Sequence, residues 1–161
     1  MEIHFSLCLQ WDEESVPVVR HICRDALKEL GVATDCVGDV ELAVTEACTN
    51  VLKHAAGTGD DYEVTFAIAE DDCVIRVIDS GSGFDHDAVD REAAAEHGAE
   101  SGRGVFLMAA LVDDLKFTSK AEVGTVVHLE KKLQLDETSV IRRLQRAKEA
   151  LLQASQGAPT V

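Results

Sequence analysis

The sequence has few basic residues and no long apolar run. It carries 15 Lys and Arg against 30 Asp and Glu in 161 residues, so its formal net charge is −15. A surface this acidic repels the phosphates of DNA and RNA, so nucleic-acid binding is not expected. The apolar stretches fall well short of the ~20 residues that a membrane span needs, and no membrane association is expected. The same charge repels ATP, so any nucleotide site must rely on a metal ion and on backbone N–H groups.

The cysteines lack any pattern typical of disulfide frameworks or zinc sites. They are odd in number, widely spaced and without a CxxC pair, and they are Cys8, Cys23, Cys36, Cys48 and Cys73. Most lie among apolar residues. The sequence therefore predicts reduced thiols that act as small core residues, and a cytoplasmic protein.

Hydrophobic periodicity divides the rest of the chain into strands and helices. Apolar and polar residues alternate over 4–10, 62–69, 73–79, 115–119 and 125–133, which predicts strands that include two hairpins. Helical spacing appears from Pro17 to a stop at Gly31, and over 34–55, 104–112 and 137–153. Strand pairs segregated from helices predict an α+β fold, a two-layer α/β sandwich.

Glu46 and Asn50 are four residues apart on the second predicted helix and share its polar face. An amide oxygen suits Mg²⁺, which takes one or two protein oxygens and fills its other positions with phosphate and water. A carboxylate one turn away can accept a proton from a hydroxyl. Taken alone, such a pair on a wet helix face is more often simply solvated.

Two glycine-containing segments follow this helix in the sequence. Asp79-Ser-Gly81-Ser-Gly83 comes directly after an apolar strand, where bare backbone can approach a flat ligand and Asp79 can accept from an exocyclic amine. Ser101-Gly102-Arg103-Gly104 precedes a short apolar helix, whose first N–H groups form an anion site. A plain turn and an ordinary helix start are the alternative interpretations.

These segments, with Gly124-Thr125 opening the last strand, occur in one order. In that order they resemble the ExxxN, DxGxG, GxG and GT boxes of the GHKL (Bergerat-fold) ATPases, which include gyrase, histidine kinases and MutL. The sequences TEACTNVLKHA, VIDSGSGFD and GRGVFLMAALVDDL resemble the small bacterial anti-sigma-factor serine/threonine-protein kinases most closely. The resemblance covers roughly residues 3–133. It implies a mixed, mostly antiparallel sheet with helices on one face.

The resemblance assigns roles to the matching residues. Asn50 matches the Mg²⁺ ligand, and Glu46 matches the general base. Glu46 and Arg103 are the predicted catalytic residues, and Arg103 is predicted to contact the terminal phosphate or a docked protein. The remaining matches hold ATP: Asp79 bonds the adenine amine, Thr125 assists it, Gly81 and Gly83 line the base pocket, and Gly102 and Gly104 cradle phosphate. Residues 80–101 match a lid over the nucleotide.

The resemblance also implies a function and partners. It predicts an ATP–Mg²⁺-dependent kinase that phosphorylates an anti-anti-sigma (STAS-type) protein, sequesters a sigma factor and forms a homodimer. A non-catalytic ATP-binding anti-sigma module, and a GHKL kinase or ATPase of another signalling system, are the alternatives. An autokinase is disfavoured because no coiled-coil pattern surrounds His21.

Three segments are predicted along the chain. Residues 1–135 form the histidine-kinase-like ATPase domain and residues 157–161 a flexible tail. Residues 136–156 form a C-terminal helix that packs on the same domain or at a dimer interface.

Overall fold

Five strands form a single sheet in the computed structural model, which describes residues 2–54, 61–79, 100–120 and 124–156. The spatial order is β1-β2-β3-β5-β4, and each neighbouring pair is antiparallel. The strands are β1 Glu2–Gln10, β2 Asp61–Ala69, β3 Asp72–Asp79, β4 Asp114–Lys120 and β5 Gly124–Lys132. The α+β prediction is confirmed, and all the described pairings are antiparallel instead of mixed.

Within the described residues, the sheet is accompanied by four helices: α1 Ser15–Glu29, α2 Thr34–His54, α3 Glu100–Leu111 and α4 Val140–Gln156. The helix α2 packs against α1 on one side and α3 on the other, and it lies over β3 and β5. Its apolar stripe of Val40, Val44, Ala47 and Val51 is buried, because these residues recur once per helical turn. Within the described residues, no helix is both long and apolar enough to cross a membrane.

The core lies between the helices and one face of the sheet. Alternate residues of β2 point into it, namely Tyr62, Val64, Phe66 and Ile68. On the edge strand β1, Phe5 is the register partner of Phe66, and the two rings stack with their centroids 4.6 Å apart. The period of two along each strand thus places one set of side chains under the helices and leaves the other set on the opposite face.

The structure corrects two predicted helix boundaries. The helix α3 begins at Glu100, not at Gly104, so Gly102 and Gly104 lie within its first turns instead of preceding it. The helix α4 begins at Val140, not at 137, because the Ser139 hydroxyl accepts a hydrogen bond from the Arg142 N–H at 3.1 Å and caps the helix. Gly81, Gly83 and nearly all of the predicted lid lie outside the described residues, as does the tail 157–161.

All five cysteines are free, and four of them are buried. Burial raises the pKa of the Cys48 and Cys73 thiols to about 12, so these thiols stay protonated and unreactive at neutral pH. Cys8 is exposed on β1. The prediction that most of the cysteines are small core residues is confirmed.

The C-terminal helix is attached near its start. Ile141 is buried in the core and Ser139 packs against Gly31, where α1 gives way to the loop before α2. Further along α4, Leu144 is exposed and Leu151 is 72% exposed. The prediction that this helix packs on its own domain or at a dimer interface stays a prediction.

Candidate functional site

The polar side of α2 that faces α3 carries Glu46 and Asn50. Asp39, Ala43, Glu46 and Asn50 follow one another at spacings of four, three and four residues, which places them on one side of the helix. Asn50 is only 9% exposed, and Glu46 is half-buried. Neither residue is therefore simply solvated, which was the alternative interpretation of this pair.

Gly104 brings the backbone of α3 directly against Glu46. A Cβ atom at Gly104 would lie 2.9 Å from Oε2 of Glu46, a separation that real Cβ atoms essentially never show. The absence of a side chain is thus what allows this close approach. The structure places the predicted base beside the predicted phosphate turn, although they are far apart in sequence.

Gly102 and Arg103, the other residues of the predicted phosphate-binding segment, lie in the first turn of α3. Gly102 is buried and Arg103 is exposed. The first N–H groups of a helix have no partner within it, and the positive end of the helix dipole lies there. An anionic group is therefore favoured at this end of α3, next to Glu46.

Asp79 and Thr125 meet at the end of the β3–β5 pair. They are cross-strand partners in the register, and both side chains are buried. Asp79 is the last residue of β3, so a fully buried carboxylate stands where the strand ends. The register places the two residues beside each other, and the assistance of Asp79 by Thr125 stays a prediction. Gly81 and Gly83, predicted beside them, lie outside the described residues.

The helix α2 connects these two groups of residues. One side of it carries Glu46 and Asn50 towards α3, and its buried face lies over β3 and β5, where Asp79 and Thr125 stand. The predicted residues within the described part thus lie on α2 or on elements that pack against it. Arg103 is exposed on the first turn of α3, and its contact to the terminal phosphate or to a docked protein stays a prediction.

Lys131 and Asp39 lie outside the sequence motifs that predict the site. Lys131 lies on β5 in phase with the buried residues Thr125, Val127 and Leu129, and its side chain is only 16% exposed. Its ammonium group donates to Oδ2 of Asp39 at 3.0 Å and to the carbonyl of Leu111 at 2.7 Å. Lysine is rarely found at a strand position whose side chain points towards the core, and this pattern could have identified Lys131 from the sequence.

The described residues around Glu46 offer few metal ligands. In the part of the chain that the structure describes, no group of three or more His, Cys, Asp or Glu residues could hold a metal. Asn50 offers one neutral oxygen, which suits an ion that takes its remaining ligands from substrate phosphates and water. The half-buried Glu46 carboxylate, one helical turn away, is a group that can accept a proton.

The sequence matches the family model described as a histidine kinase-like ATPase domain over residues 9–131. It is 37% identical over 131 residues to a serine-protein kinase RsbW from Halalkalibacterium halodurans, covering 77% of this chain and 80% of the relative. A serine-protein kinase RsbW from Bacillus cereus is 29% identical over 132 residues, covering 77% of this chain and 81% of that relative.

Two solved structures share the fold. The RsbU and RsbW domains of a Mycobacterium tuberculosis protein superpose with a TM-score of 0.63 at 22% identity, covering 81% of this chain and 32% of that one. The SiaB–SiaC complex from Pseudomonas aeruginosa superposes with a TM-score of 0.55 at 19% identity, covering 78% of this chain and 87% of that one. With the ordered motifs and the extensive family match, it follows that the chain belongs to the histidine kinase-like ATPase family, as a relative of the serine-protein kinases RsbW.

Proposed function

We propose that this chain binds ATP with Mg²⁺ and transfers the terminal phosphate to a serine or threonine hydroxyl of a partner protein. One observation carries the proposal: the Glu46 carboxylate lies against Gly104 in the first turns of α3, one helical turn from the mostly buried Asn50. A base, a metal ligand and an anion site are thereby contiguous. The serine-protein kinase relatives support the same reaction.

The binding roles follow from chemistry and position. Asp79 would accept from the adenine amine, with Thr125 beside it and with Gly81 and Gly83 lining the base pocket. Gly102, in the first turn of α3, would offer its backbone N–H to phosphate, and Gly104, which has no side chain, would let phosphate approach the helix, while Asn50 would hold Mg²⁺. A bound Mg²⁺ would neutralise phosphate charge, which a chain of net charge −15 needs in order to bind ATP.

Glu46 would serve as the general base. Its carboxylate takes the proton from the incoming hydroxyl while that oxygen bonds to the terminal phosphorus and the bond to ADP breaks. Phosphoryl transfer asks mainly for positioning and charge neutralisation, so the fixed contact between α2 and α3 is as important as the base. Arg103, exposed at the rim, would contact the terminal phosphate or the partner.

A protein substrate is favoured over water by the surface beside the site. Phe106 is 73% exposed and lies three residues after Arg103, on the same side of α3. An exposed aromatic residue next to an arginine is the kind of anchor on which protein interfaces rely. The solved relative in which SiaB is complexed with SiaC supports a protein partner.

The biological setting is proposed from the family resemblance. The substrate would be an anti-anti-sigma protein of the STAS type, and the chain, as a homodimer, would sequester a sigma factor and so regulate transcription. The free cysteines suit the reducing cytoplasm. Use of nucleotide without catalysis, or service in another signalling system, is the alternative, and the presence of Glu46 beside Gly104 favours catalysis.

The Glu46→Gln variant tests the reaction. Phosphoserine formation on an anti-anti-sigma protein that co-purifies with the chain should fall by about 10²- to 10⁴-fold, the usual contribution of a general base. The affinity for ATP should change by less than about threefold, because the amide keeps the size of the side chain and binding does not need its charge.

Glu41→Gln is the matched control for this measurement. It lies on the same helix but points towards α1, where it pairs with Arg20 at 3.5 Å, and it should transfer phosphate like the wild type. Unchanged transfer by Glu46→Gln would show that the base is assigned wrongly.

A further inference from the structure

The carboxyl end of α3 is held by a three-way contact. The Lys131 ammonium on β5 lies 3.0 Å from Oδ2 of Asp39 on α2 and 2.7 Å from the carbonyl oxygen of Leu111, the last residue of α3. A cation at the carboxyl end of a helix is favoured by the helix dipole and caps an otherwise unpaired carbonyl. One side chain therefore joins the sheet and both helices.

The other end of α3 lies at the proposed phosphate turn. Gly104 meets Glu46 there, while Leu111 meets Asp39 through Lys131 at the far end. Gly104 and Leu111 are seven positions apart on α3, and Asp39 and Glu46 are seven positions apart on α2. At about 1.5 Å per residue both spans are about 10 Å, so the two helices run antiparallel and are fixed at two matched points.

We propose that Lys131, with Asp39, is a positioning residue that sets the register of α3 along α2, and through it the placement of the Gly102–Gly104 turn against Glu46 and Asn50. The inference rests on the proposed function, because it says how the site for the phosphates of ATP is held in place. Lys131 lies at the opposite end of α3 from the Gly102–Gly104 turn, so we assign it no contact with the nucleotide or the transferred phosphate.

The contact is suited to this task because it is partly shielded from water. The Lys131 side chain is 16% exposed, against 59% for its neighbour Lys132, which pairs with Asp71 and Asp72 at the surface. A shielded ion pair with a second acceptor has a defined geometry, whereas an exposed pair is screened and contributes little. Without Lys131, the Leu111 carbonyl loses its charged donor and α3 can slide or tilt.

Binding of ATP compared with binding of adenosine tests the inference. Adenosine uses the base pocket alone, whereas ATP also uses the first turn of α3. In Lys131→Met the affinity for ATP should fall about tenfold, while the affinity for adenosine should stay within about twofold. The turnover number for phosphate transfer should fall by up to about 100-fold, as expected when reacting groups are misplaced by about 1 Å.

Matched variants separate positioning from general stability. Lys132→Met removes a lysine from the same strand and should keep the wild-type ratio of ATP to adenosine affinity. Lys131→Arg should restore most of that ratio. Asp39→Ala, at a position 40% exposed, should lower the ratio and provides a second test if Lys131→Met does not fold.

The outcomes distinguish this inference from the proposed function. Folded Lys131→Met or Asp39→Ala protein that keeps the wild-type ratio would overturn the positioning role, as would an equal loss of affinity for both ligands. A wild-type chain that binds adenosine no more weakly than ATP–Mg²⁺ would instead overturn the proposed function, and the inference with it.

Discussion

At the scale of the residue, the backbone of Gly104 against the Glu46 carboxylate is the contact on which the proposed chemistry depends most. The spacing of Glu46 and Asn50 and the two glycines were visible in the sequence. Their proximity was not, because it follows from how α3 packs on α2. Periodicity identifies which face of a helix is polar, but it does not identify what that face meets.

Gly104→Ala should separate activity from stability. Alanine favours a helix by up to about 1 kcal/mol over glycine, so the thermal midpoint should stay the same or rise. The new Cβ would meet Oε2 of Glu46 at 2.9 Å, and the flexible carboxylate would have to move. Phosphate transfer should therefore fall about 10- to 100-fold.

Gly38→Ala is the control for that substitution. Gly38 lies inside α2, and a Cβ atom at this position would have no neighbouring atom within 4 Å. Alanine there should therefore raise stability by about 0.5–1 kcal/mol without changing transfer. Wild-type transfer by Gly104→Ala would contradict the importance of the contact with Glu46.

At the scale of the element, the sequence predicted most helices and strands but not how their ends are held. Gly31 was expected to stop α1, and it does so with φ of 76°. The sequence did not indicate that Gly31 also packs against Ser139, which caps α4 more than 100 residues later. The boundary of α3 was misplaced because glycines are poor helix formers, yet Gly102 and Gly104 lie within its first turns.

Gly31→Ala should destabilise the fold without touching the nucleotide site. A Cβ at this position would lie 2.6 Å from the Ser139 Cα, and the positive φ is unfavourable for alanine. The free energy of unfolding should drop by about 1–3 kcal/mol, measured by urea denaturation. The affinity of the remaining folded protein for ATP should be unchanged. A stability equal to that of the wild type would show that the contact between Gly31 and Ser139 does not constrain the fold.

At the scale of the whole molecule, the negative net charge of the chain opposes the binding of ATP. The chain carries −15 overall, so the phosphates of ATP approach against the average field. The family and the α+β fold could be predicted because four motifs occur in a fixed order. The placement of Asn50 and Glu46 beside α3, and the attachment of α3 by Lys131, needed the tertiary structure.

The most direct test of the central claim is calorimetric titration of the wild-type chain with ATP, in Mg²⁺ and in EDTA at equal ionic strength. We predict that ATP binds the wild-type chain at least about tenfold more tightly in Mg²⁺ than in EDTA, a difference of about 1.4 kcal/mol. In Asn50→Ala the affinities in Mg²⁺ and in EDTA should be equal. Equal affinity in Mg²⁺ and EDTA, or no binding of ATP in either, would contradict the account.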